Sequence, residues 1–166
     1  FYTIHLDVAK HESGWPDTDP TLHLRVQALA QNPAVNVVNF GKNLNTANGN
    51  TYTLDRGETV DRGDASKTFN LTATGEDRRR AFQIANWSLE AYRFTDREMG
   101  WTRKRVKVRY PAVVDDNDKF KSPLEKFVIG RNDWGDKRTT VHHEYGHAVM
   151  SGLFGYKGWQ IPKYKG

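Results

Sequence analysis

The chain has 166 residues, no cysteine, 37% hydrophobic and 27% charged residues, and a formal net charge of +5. This length suits one domain or a small domain with an appended module, and the composition is that of a folded chain and excludes a disordered one. The lack of cysteine excludes disulfides and thiolate metal sites, and no apolar run reaches membrane-spanning length.

The positive charge alone would allow an acidic partner. Its basic residues are scattered, however, apart from Arg78-Arg79-Arg80 and the stretch Arg103 to Arg109. In the latter, charges alternate with Val106 and Val108 at strand period, which reads as the wet face of a sheet. No recognised nucleic-acid-binding fold accompanies the charge, so no nucleic-acid partner is expected. An initial Phe1 is expected where a signal peptide or propeptide has been cut away or where the chain is truncated, and the first of these carries the expectation of a secreted, extracellular location.

Residues 1–75 read as strands and turns. Tyr2 to Val8 and Thr21 to Val26 alternate, joined by a proline and aspartate cluster from Trp15 to Pro20. His5 and His23 lie within these strands and are expected on the outward, polar face. Val35 to Phe40 forms a third candidate strand, Gly41 to Asn50 a hairpin tip, and Thr51 to Leu54 and Lys67 to Thr72 two more strands. Short strands with turns at such intervals predict an antiparallel, sandwich-like β module. Arg62-Gly63-Asp64 sits in a turn-rich run that ordinary turn chemistry explains.

The pattern changes at residue 76. Asp77 can cap a helix running from about Arg78 to Thr95, with Phe82, Ala85, Leu89 and Tyr92 along one face, widened by Ile84, Trp87 and Ala91. Gly100 closes it. A strand follows from Arg105 to Val114, bent at Pro111, and then the acidic run Asp115-Asp116-Asn117-Asp118, read as a solvated loop. Phe127 to Arg131 is a short apolar strand. Asn132 to Asp136 is the turn into a last helix, for which Thr139 or Thr140 can serve as N-cap.

That last helix carries T-T-V-H-H-E-Y-G-H-A-V-M, residues 139–150, with H-E-x-x-H at His143, Glu144 and His147. Histidines four apart lie on one helical face about one turn apart, so both imidazoles can reach one metal ion. Glu144 can take a proton from water beside that ion and pass it to a leaving group. The spacing points to metal-assisted hydrolysis, with Tyr145 packing in the core beside Val141 and Ala148. His142, about 100° around the helix from His143, is unsuited to the same ion and is expected to make a hydrogen bond on the helix surface or behind the site.

These residues, with uncharged neighbours throughout, resemble the signature of the zincin metallopeptidases, closest to the N-terminal subdomain of the gluzincins. The resemblance covers about Asp77 to Phe154. It implies an α+β chain with the β module at 1–75 and, at 76–166, a zincin-like subdomain of backing helix, twisted sheet and metal helix. It further implies Zn2+ held by His143 and His147, Glu144 as general base, and a peptide or protein substrate. By position, Phe127, Val128, Ile129, Gly130 and Arg131 would be the edge strand that pairs with an extended substrate.

The family's third ligand, a later glutamate or histidine, has no match. No His, Asp or Glu follows His147, and Asp133 and Asp136 precede the helix. The ligand is therefore expected from a missing C-terminal subdomain or a partner chain. The alternative is a catalytically inactive zincin-like extracellular binding or structural module.

Overall fold

The computed structural model describes residues 21–39, 49–61, 67–111, 119–121, 126–130 and 137–155. The expected strand holding His5, most of the expected 41–50 tip, Arg62-Gly63-Asp64, the acidic run 115–118, Arg131, Asp133, Asp136 and the residues after Gly155 lie outside them. Among the described residues the chain is mixed α and β, with two helices and two small sheets. Its contacts separate two units, residues 1–26 with 55–70, and residues 27–54 with 71–166. The sequence places the division at residue 75; the chain instead passes between the units three times.

β1 (Thr21–Leu29) and β3 (Thr53–Asp61) pair as a two-stranded sheet. Within the first unit, the exposed Arg25 guanidinium pairs with Asp55, and Glu58 pairs with Arg56 and Lys67. The lysine hydrogen bond holds the Glu58 carboxyl below its ordinary range. His23 is exposed, as its alternation predicts, with Nδ1 3.0 Å from the Thr59 hydroxyl. Lys67 to Thr72, expected as a strand, is irregular. Its Asn70 carbonyl accepts from the Arg56 side chain, outside any strand ladder. A sandwich is not what the described part of 1–75 builds.

The second unit is organised by a four-stranded sheet in the order β2-β4-β6-β5, where β2 is Val35–Val38, β4 Val106–Arg109, β6 Lys126–Val128 and β5 Lys119–Lys121. β2, β4 and β6 run parallel, and β5 is antiparallel to β6. Parallel neighbours need a long crossover, and α1 (Glu76–Met99) lies in the one between β2 and β4. β2, read as part of the first β module, therefore belongs with the elements that follow residue 75.

Register explains the core. Val37, Val108 and Phe127 are aligned across three strands, and Val35 is aligned with Val106. Side chains two apart share a face, so these valines, Phe127 and Ile129 form one apolar layer, clustered with α1 and α2 (Arg138–Phe154). Phe127 and Val128 sit on an inner strand, with Ile129 and Gly130 buried directly after it. The expected edge strand is thus corrected: β6 has both ladders filled, by β4 and β5, and among the described residues the outer strand on this side is β5. An apolar run buried on both faces suits an inner position.

α1 extends beyond its predicted bounds at both ends. Its N-cap is Gly75 without a side-chain cap bond, and Gly100 ends it in the left-handed conformation. Its most buried positions are Ala81, Ile84, Ala85, Ser88 and Thr95, while Phe82, Trp87, Ala91 and Tyr92 pack at the flank. Ile84 and Ala85 belong to the expected stripe, and Ala81 and Ser88 join them where Phe82 and Leu89 are only half-buried. Arg109, expected on a wet face, is buried at the end of β4.

Candidate metal centre

α2 begins after Lys137, whose extended backbone makes it the N-cap in place of the expected threonines, and ends at Gly155 in the left-handed conformation. With Val141 at zero and about 100° per residue, the buried positions Val141, Glu144, Tyr145, Ala148 and Val149 fall between about −60° and +80°. His143 and His147 fall near 200° and 240°, on the face turned from the core. Glu144 stands at the boundary between the two faces, on the His147 side. The apolar stripe thus orients the helix, and the i, i+4 spacing then brings the histidines together.

The two Nε2 atoms are 2.9 Å apart, and the rings meet edge to face with centroids 4.5 Å apart. His143 is exposed, His147 half-buried, and Glu144 only 4% exposed. One donor atom from each of the three lies within 4.8 Å of the others. Among the described residues this group can hold a metal ion. The chemistry of the set fits that use, because two imidazole nitrogens and a carboxylate oxygen are ordinary ligands of a divalent first-row metal.

Electrostatics favour neutral imidazole. Burial pushes His147 below its ordinary value of 6.5, and the nearby His143 pushes in the same direction. A ligand nitrogen must be unprotonated, so the site is partly prepared for a cation. The His147 Nδ1 is buried with no hydrogen-bond partner among the described residues. Tyr145, almost wholly buried, packs with Val141 and Ala148 as expected, and burial raises its phenol well above the ordinary range.

His142 does not join the group. Its Nε2 is 3.1 Å from the Trp87 carbonyl on α1 and 3.6 Å from Glu90 Oε2, and Arg138 Nε is 2.8 Å from that same carboxylate oxygen. The expected hydrogen bond is present, but its partners on α1 carried no signal in the sequence. Of the predicted substrate-strand residues, Phe127, Val128, Ile129 and Gly130 are buried within the sheet. Both β5 and β6 pack beside α2.

No family model matches the chain, and no curated protein or solved structure matches it.

Proposed function

We propose that the chain is a zinc-dependent peptidase of the zincin kind, or the portion of one that carries the metal helix. The observation carrying this reading is the convergence of His143 and His147 Nε2 on one face of α2, beside the buried Glu144. His143 and His147 would hold Zn2+, which when bound supplies a Lewis acid for the scissile carbonyl and lowers the pKa of water. Glu144 accepts a proton from the attacking water and returns it to the leaving amine. Its burial excludes bulk water from the carboxylate and fixes its approach.

An extended peptide would add to the outer ladder of β5, since an edge strand offers main-chain donors and acceptors that an inner strand has already used. That replaces the assignment to residues 127–131. A third protein ligand would come from outside the described residues, in a further subdomain or a partner chain where this chain does not supply it, because the described residues offer two histidines once Glu144 acts as base. The same observation favours a second reading, a zincin-like extracellular binding module without activity.

Replacement Glu144→Gln tests the assignment. Elemental analysis should find the same zinc content in both proteins, while cleavage of an unstructured protein substrate falls by about two to four orders of magnitude. Equal cleavage by the variant would sink the mechanism. Stoichiometric zinc without cleavage in the parent chain would favour the binding module.

A further inference from the structure

We infer that His142 is a positioning residue that locks the rotation of α2 about its own axis, and so sets where the two metal-site imidazoles point. The inference rests on the metal-site reading above. It starts from where the cross-helix contacts lie.

The core stripe of α2 is almost wholly apolar, and apolar contact is non-directional. Such a stripe, close-packed against the sheet, sets the rotation of the helix to first order and offers few directional bonds. Imidazoles stand about 5–6 Å from the helix axis, so a rotation of about 10° moves them by about 1 Å. Sites of this kind require placement within about 0.5 Å. A directional contact at the flank narrows what packing leaves.

His142 supplies it. Its Nε2 is 3.1 Å from the Trp87 carbonyl. A carbonyl only accepts, so Nε2–H donates, using the lone pair left free by the helical bond of α1. The side chain is half-buried, which shields the bond from competing water. One turn earlier on the same flank, Arg138 reaches Glu90 of α1 at 2.8 Å. Two contacts four residues apart on one side of α2 oppose its roll, the half-buried His142 bond more than the exposed Arg138–Glu90 pair. His142 and His143 are adjacent, so what fixes the first sets the direction of the second.

Test proteins are the full chain with His142→Leu, which fills the site without a donor, His142→Ser, which is too short to reach, and His142→Gln, whose amide nitrogen can replace Nε2. Affinity for Zn2+ alone is measured by competition with a chromophoric chelator, and melting is followed on metal-free protein. Leu and Ser variants should bind Zn2+ about ten- to a hundred-fold more weakly, the effect expected of groups that orient ligands. The Gln variant should regain most of that loss, with all the metal-free melting curves close together.

Parent-like affinity in the Leu and Ser variants overturns the inference and leaves the metal-site reading standing. So does equal weakness in all three variants. A parent chain that takes up no Zn2+ overturns the metal-site reading itself, and the inference with it. If the Leu variant does not fold, the comparison of Ser with Gln decides.

Discussion

The Nε2 atoms of His143 and His147 stand 2.9 Å apart on the face of α2 turned from the core. Neither ring is needed to fill the apolar layer, so removing either should cost little folding stability while removing metal uptake. We expect His143→Ala and His147→Ala each to abolish the rise in melting temperature that added Zn2+ produces in the parent chain. A hundred-fold excess of Zn2+ over its dissociation constant stabilises by about 2.7 kcal/mol, which a melting scan resolves easily. A shift retained by both variants would place the ion elsewhere.

The lowered pKa of His147 predicts a pH dependence of the metal-free protein. In the unfolded chain this histidine titrates near its ordinary value of 6.5, and in the fold it titrates lower because burial and the neighbouring His143 oppose the charge. Between the two values the unfolded state binds more protons, so stability rises with pH. It is complete above 6.5 and is lost as pH falls, levelling off below the folded pKa. Urea midpoints taken in chelator across this range should fall more steeply in the parent than in His147→Gln. Parallel profiles would show that this ring does not titrate in the buried setting.

Asn32 is a joint between the sheet and α1. Its Oδ1 accepts from the amides of Ala34 and Val35 at 2.9 and 3.0 Å, and its Nδ2 donates to the Ala85 carbonyl at 2.7 Å. Ala34 and Val35 are fully buried, so their amides would be left with poorer partners in Asn32→Ala. An unmet buried donor costs about 1–3 kcal/mol. We expect a loss in that range by urea unfolding, with the helical content of the native protein unchanged. A loss under about 0.5 kcal/mol, the size of an ordinary surface change, would mean that water replaces the side chain.

Local periodicity made α2 legible, because the pairing of its histidines and the burial of Val141, Tyr145 and Ala148 follow from steps of three and four, although the helix runs past Met150 to Phe154. α1 was legible as a helix and only in part in its rotation. The expected Ala85 and Ile84 are buried, but hydropathy also weights Phe82 and Leu89, which are half-buried, whereas close packing adds Ala81 and Ser88. Strand pairing was the least legible feature. Nothing near Val35 announces a parallel partner at Val106, because that choice is made between distant segments. The three residues of β5 are too few to show a period, so the outer position fell to the more apolar residues 127–131, of which 127–130 are buried. Asn32 and Trp87 were invisible as contact points because backbone carbonyls and turn amides leave no mark in residue type.

Two glycines of α2 should respond to alanine with opposite signs. A Cβ at Gly146 meets nothing within 4 Å, so only the backbone matters there. Alanine restricts the unfolded chain and favours the helix, stabilising by about 0.5–1 kcal/mol. At Gly152 a Cβ would come within 2.7 Å of both Arg103 Cδ and the Trp101 ring. The arginine stem can shift, but the indole is rigid and packs against the core cluster. Overpacking of this kind typically costs about 1–3 kcal/mol, which exceeds the helix gain. Gly152→Ala should therefore lower the melting temperature while Gly146→Ala raises it. Gly146 also lies between the histidines in sequence, so a stabilised Gly146→Ala protein with parent-like Zn2+ uptake would place that Cβ clear of the ion. Stabilisation at both positions would mean that Trp101 swings away from the last turn of α2 at little cost.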